Sequence, residues 1–153
     1  MPTRVLMNHK IVINASRANV FAFITDLSKD PKWRTEVDRM DVQGPIEEGT
    51  VAVEYSTLFG GLMKTVTPTV IKTLKPDSLA VFVTPEDHPM WLESYRELTD
   101  LGDERTEMIY RLSFDVEPSG VFGAIYANVL KTLYEPRMPK YMENLKNLIE
   151  AET

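Results

Sequence analysis

Apolar and polar residues alternate from Val5 to Asn14, with Val5, Met7, His9, Ile11 and Ile13 on one side and Asn8, Lys10 and Asn14 on the other. A period of two predicts a strand with one buried face. Behind it the period changes. Ser16 offers a side-chain oxygen to cap a helix, and Val20, Phe23, Ile24 and Leu27 recur at helical spacing until the segment ends near Asp26 to Ser28. Asp30 followed by Pro31 predicts a second short helix, with the acid as its cap, carrying Trp33 and Val37 inward.

No stretch between Val37 and Val116 sustains a helical apolar period, and turn residues divide it into six strands. These are predicted at Val37 to Gly44, Thr50 to Phe59, Leu62 to Leu74, Ser78 to Thr84, Met90 to Leu101 and Thr106 to Glu117. Gly44-Pro45, Gly49, Gly60-Gly61, Pro76-Asp77, Pro85 through Pro89 and Gly102-Asp103 supply the breaks. Such short connections predict antiparallel neighbours. The last part of the chain carries a long helical stripe of Phe122, Ile125, Tyr126, Val129, Leu130 and Leu133, continued by Met138, Tyr141, Met142, Leu145, Leu148 and Ile149. Pro136 and Pro139 interrupt it, so a kink or break is expected between Glu135 and Pro139.

Composition narrows the function classes. The chain has 153 residues, 17 Lys and Arg against 23 Asp and Glu, and no cysteine. A net charge of −6 disfavours nucleic acid as a partner. The absent thiol removes disulfides, cysteine nucleophiles and Cys-bearing zinc sites. Two histidines far apart in sequence make no zinc motif, so neither a metal nor a cofactor is called for. There is no apolar run of the roughly 18 to 20 residues that a spanning helix requires. Met1-Pro2-Thr3-Arg4 leads into the first strand without the apolar region of a signal peptide, and the expected location is cytoplasmic. With no repeat or linker, residues 1–153 are expected to form one domain.

The order of elements, together with Ile13-Asn14-Ala15-Ser16 leading to Val20-Phe21 and Asp26, then Pro31-Lys32-Trp33, resembles the START-like helix-grip (SRPBCC) superfamily. Within it the nearest likeness is to the small polyketide cyclase/dehydrase and lipid-transport group. Gly49-Thr50, Leu74-Lys75-Pro76 ahead of Leu79, Thr106, and the tail from Met142 to Glu150 add to the likeness. It implies an α+β fold, a seven-stranded curved antiparallel sheet wrapped around a long C-terminal helix, with two short helices after the first strand. It also implies an apolar cavity between helix and sheet for a lipid, sterol, quinone or polyketide-like molecule. Family members differ in activity, so the fold alone does not fix the chemistry.

Candidate residues follow from strand register. If Leu98 and Met108 face inward across the Gly102 turn, so do Arg96, Tyr110, Leu112 and Phe114, with Arg96 opposite Tyr110. A cation beside a phenol in an apolar cavity would hold a carboxylate or enolate oxygen. His9 shares the inward side of the first strand and is a candidate base. Trp33, Tyr55, Phe122, Tyr126 and Leu130 complete the cavity candidates. Aromatic residues at these positions serve equally well as core. There is no G-x-S-x-G elbow and no phosphate-binding glycine loop. Binding of a hydrophobic or amphipathic small molecule is the leading reading. A cyclase or dehydratase using His9, Arg96 and Tyr110, and a co-chaperone-like protein-binding module, are the alternatives.

Overall fold

The computed structural model describes residues 2–117 and 119–152; Met1, Pro118 and Thr153 lie outside the described residues. The chain runs through β1 (Thr3–Ile13), α1 (Arg17–Thr25), a single 3-10 turn at Leu27–Lys29 and α2 (Asp30–Trp33). Six strands follow: β2 (Val37–Val42), β3 (Val51–Leu58), β4 (Met63–Lys75), β5 (Leu79–Val83), β6 (Leu92–Gly102) and β7 (Arg105–Val116). Two helices, α3 (Gly120–Tyr134) and α4 (Arg137–Ala151), end the chain.

The strands form one antiparallel sheet in the order β1-β7-β6-β5-β4-β3-β2. Consecutive strands from β2 to β7 are neighbours because each connection is short. β1 joins the far edge beside β7, and α1 and α2 carry the chain back across the sheet to β2. Irregularities in pairing at Val37/Arg39, Ile71/Thr73 and Asp100/Gly102 bend the sheet, since an extra residue on one strand increases local twist. Gly60 and Gly61, with φ of 66° and 98°, turn β3 into β4 through a conformation that side-chain-bearing residues resist. The β6–β7 register sets Leu98 opposite Met108 and Arg96 opposite Tyr110, as the alternation predicts.

α1 begins as expected: the Ser16 hydroxyl accepts from the Asn19 backbone N–H at 3.2 Å. Asp30 does not cap α2. It lies inside the helix with helical backbone angles, and its buried carboxylate turns to two arginines instead.

The C-terminal stripe is broken at Glu135 and Pro136, where the pyrrolidine ring cannot donate to the helix ladder. α4 packs Met138, Tyr141, Met142, Leu145 and Ile149 into the main core with Val5, Met7 and Ile13 of β1, Val20, Phe23 and Ile24 of α1, and Leu98, Met108 and Tyr110 of the sheet. A smaller cluster of Leu27, Ala52, Ile71, Ala80 and Phe82 fills the region under β3 to β5. α3 contributes much less: Gly123 and Ala127 are its buried residues. No helix among the described residues is long and apolar enough to cross a membrane.

Candidate functional site: a cavity under the third helix

α3 packs along β1 and β7 and stands off from β3 and β4, and a cavity of about 600 Å³ lies between its inner side and strands β3, β4, β6 and β7. The apolar wall is made by Leu58 at the end of β3 and Phe59 just after it, Met63 of β4, Met90 and Trp91 before β6 and Leu92 at its start, Leu112 and Phe114 of β7, and Tyr126, Leu130 and Tyr134 of α3. Met63 and Tyr126 are also among the exposed hydrophobic residues, so the cavity reaches the surface past them. The volume and lining suit a small, largely apolar molecule.

The inner end of this cavity meets a second recess of about 50 Å³, and the two share Glu54, Thr67, Leu92, Leu112 and Tyr134. The recess is built over a chain of four charges. Arg96 holds Asp30 with two bonds, Nη1 to Oδ1 at 3.1 Å and Nη2 to Oδ2 at 2.6 Å, and Nη1 also donates to the Ile24 carbonyl at 2.6 Å. Arg34 donates to the same Asp30 at 3.0 Å and grips Glu54 with two bonds of 2.9 and 3.1 Å. The Ser56 hydroxyl donates to Glu54 at 2.9 Å. Asp30 and Arg96 are almost fully removed from solvent, where charges persist only when paired and hydrogen-bonded. Burial works against the Arg34 charge, but Glu54, Tyr110 and Asp30 outweigh it and raise the guanidinium pKa further. Burial also pushes the Tyr134 phenol well above its ordinary range, with Arg34 opposing, so its hydroxyl stays protonated at neutral pH.

The sequence candidates divide into two groups. Leu112, Phe114, Tyr126 and Leu130 line the large cavity, and Arg96 lines the recess. The others lie elsewhere. Trp33 and Tyr110 are fully buried core residues in edge-to-face contact, ring centroids 5.5 Å apart. Tyr55 occupies the opposite face of β3 from Glu54 and Ser56, with the Arg39 guanidinium stacked 3.8 Å above its ring. Phe122 is 78% exposed on the outer side of α3. Its neighbours there, Val121, Ile125, Val129 and Leu133, are also exposed.

His9, Tyr110 and Arg96 stand in one cross-strand row, His9 opposite Tyr110 and Tyr110 opposite Arg96. They do not meet at an enclosed reaction point. Tyr110 is covered by Trp33, Arg96 is committed to Asp30 and Ile24, and the half-buried His9 contacts the Asn8 carbonyl at 3.3 Å. His88 does line the large cavity, although its loop position gave no hint of this, and its Nδ1 contacts the Met90 backbone, at 2.8 Å from the carbonyl oxygen and 3.1 Å from the amide nitrogen. Among the described residues no three His, Asp or Glu side chains converge as a metal-binding group.

Glu54, Ser56, Thr65 and Thr67 are cavity residues that the periodicity conceals. A packed strand turns its apolar side inward, and in β3 the more apolar side is Val51, Val53 and Tyr55. The strand instead turns Ala52 into the smaller core and Glu54, Ser56 and Leu58 toward the cavity, where an unfilled space and an ion-pair network tolerate polar groups. The available signal was the pair Glu54 and Ser56, two polar residues in register on one strand face.

The sequence profile described as polyketide cyclase / dehydrase and lipid transport matches residues 4–150. The chain belongs to this family. No curated protein matches it by sequence. Similar solved structures include the ZhuI aromatase/cyclase of a Streptomyces species, 13% identical with a TM-score of 0.78 over 97% of this chain and 94% of that one. A START superfamily protein from Mycobacterium smegmatis is 14% identical with a TM-score of 0.76 over 97% and 99% of the two chains. Norcoclaurine synthase from Thalictrum flavum, solved with dopamine and hydroxybenzaldehyde, is 10% identical with a TM-score of 0.72 over 99% and 90%. At these identities the shared property is the helix-grip fold.

Proposed function

We propose that the chain acts as one helix-grip domain that holds a hydrophobic or amphipathic small molecule, of the lipid, sterol, quinone or polyketide-like kind, between α3 and the sheet. The observation that carries this reading is the open cavity of about 600 Å³ with its apolar wall of leucine, methionine and aromatic side chains. The family description, polyketide cyclase / dehydrase and lipid transport, supports a small-molecule cavity whether the molecule is held or transformed.

Holding is favoured over transformation by how the polar groups at the cavity are engaged. Glu54 is bound to Arg34 and Ser56, Asp115 to Arg4, and His88 to the Met90 backbone. A general acid or base needs hydrogen-bond reach to a substrate proton, and for Glu54 and Asp115 these partners compete with a substrate, whereas the His88 contact engages Nδ1 alone.

The test is ligand binding followed by N-phenyl-1-naphthylamine fluorescence, native mass spectrometry and thermal shift with lipid, sterol and aromatic polyketide panels. A ligand at about a hundred times its Kd adds about 2.7 kcal/mol and raises Tm by several degrees. Leu130→Trp, which fills the cavity from α3, is expected to abolish the dye signal while the fold is kept. Absence of any stabilising ligand, with dye fluorescence indifferent to Leu130→Trp, would reject the reading.

A further inference from the structure

A recess of about 50 Å³ lies at the inner end of the cavity. Its walls include Asp30, Arg34, Glu54, Ser94 and Arg96. Two guanidinium groups face two carboxylates in a continuous chain, so the cluster is neutral before any ligand arrives. This alters the expectation that Arg96 offers a free cation to a carboxylate or enolate. Its terminal nitrogens are already bound to Asp30 and the Ile24 carbonyl.

Three buried donors on these residues nevertheless lack hydrogen-bond partners: the Ser94 hydroxyl, Arg34 Nε and Arg96 Nε. Ser94 is 7% exposed and Arg96 1%. Buried donors without acceptors are costly, commonly about 1–3 kcal/mol each, so the recess favours an occupant that accepts hydrogen bonds. Its volume of about 50 Å³ is several times what one water needs and suits one small oxygen-bearing head.

We infer that the recess selects ligands whose inner end is an uncharged oxygen, a hydroxyl or a carbonyl, and discriminates against a carboxylate of the same length. A neutral oxygen accepts from the Ser94 hydroxyl without disturbing the charge balance. A carboxylate would enter as a third negative charge beside Glu54 and Asp30 and give up its hydration on the way, so it stays outside the recess and does not reach Ser94. The apolar tail lies in the large cavity, beyond the shared boundary of Leu92, Leu112 and Tyr134. The protonated Tyr134 hydroxyl at that boundary adds no charge. This inference rests on the proposal that the large cavity holds a ligand.

The experiment displaces N-phenyl-1-naphthylamine, an uncharged apolar dye, with 1-dodecanol, 2-tridecanone and sodium dodecanoate at pH 8. The alcohol and the ketone are expected to displace it at concentrations about tenfold or more below the carboxylate, a difference of about 1.4 kcal/mol. Ser94→Ala should weaken dodecanol about fivefold and leave dodecanoate unchanged. Glu54→Gln removes one negative charge and should bring dodecanoate to within about twofold of dodecanol. Circular dichroism checks that each variant is folded, and either variant by itself tests the assignment.

Dodecanoate displacing the dye as well as dodecanol in the unaltered protein overturns the inference and leaves the cavity reading intact. Dodecanol binding that ignores Ser94→Ala also overturns it, since the recess then holds water only. Dye that binds but yields to none of the three molecules overturns this inference, while the cavity reading is decided separately by whether Leu130→Trp abolishes the dye signal.

Discussion

The two halves of the C-terminal stripe have similar apolar patterns and opposite fates. In α4, Met138, Tyr141, Met142, Leu145 and Ile149 are 5% exposed or less; in α3, Phe122, Ile125, Tyr126, Val129 and Leu133 are 45–78% exposed. α4 lies on β1 and α2, where Val5, Met7, Ile13 and Trp33 complete its surface. α3 turns Tyr126, Leu130 and Tyr134 toward a cavity bordered by the polar Glu54, Ser56, Thr65 and Thr67, while Phe122, Ile125, Val129 and Leu133 lie exposed on its outer side. Hydrophobic burial stabilises a helix only to the extent that the facing surface removes it from water. One half is therefore a structural core, and the other is the wall of a cavity.

That contrast can be broken most severely from beneath. Asp30→Ala leaves Arg96 buried without its partner, and an expected loss of about 3–5 kcal/mol is measurable by urea denaturation. Leu145→Ala, in the packed half, is expected to cost about 3 kcal/mol by the lost burial and the void it leaves. Leu130→Ala, the corresponding cut in α3, should cost only about 1 kcal/mol, because its side chain already borders open space, while reducing dye affinity. Equal costs at Leu145 and Leu130 would show that α3 packs as tightly as α4. Phe122→Ser, on the outer face, is expected to leave stability within about 0.5 kcal/mol of the unaltered protein and dye affinity unchanged.

The smallest effect at neutral pH concerns Tyr141. Burial pushes the Tyr141 and Tyr134 phenols well above their ordinary range. A proton held more tightly in the folded state gives stability that is present below the unfolded phenol pKa of about 10 and is lost as pH rises above it. Tyr141→Phe should therefore be near neutral at pH 7 and flatten the alkaline fall in Tm. An unchanged slope would mean that Tyr141 ionises freely in the folded protein.

Much of the fold is legible because local periodicity is a one-dimensional property. The Ser16 cap, the period-two strands, the glycine turns and the proline break at Glu135 and Pro136 act within a few residues, and each appears where the pattern places it. The site is less legible. Leu112, Phe114, Tyr126 and Leu130 line the cavity because their strand and helix faces follow from spacing. Trp33 and Tyr110 have the same apolar aromatic character and are packed as core, since residue type does not distinguish a filled interior from an open one. Tyr55 faces outward because β3 turns its polar side to the cavity, the reverse of an ordinary packed strand. Asp30 reads as a helix cap from Asp30-Pro31 alone; its partner Arg96 is 66 residues away.

By itself, then, the sequence determined the element order, the antiparallel connections, the break in the last helix and the chemistries that an acidic, cysteine-free chain lacks. Those follow from neighbouring residues and composition. The tertiary structure decided which half of the apolar stripe is covered, where the cavity opens, and that Arg96 serves a neutral four-charge chain with Asp30, Arg34 and Glu54. Each of these depends on surfaces and charges brought together from distant parts of the chain, and their sum determines whether a buried charge is available to a ligand or already satisfied.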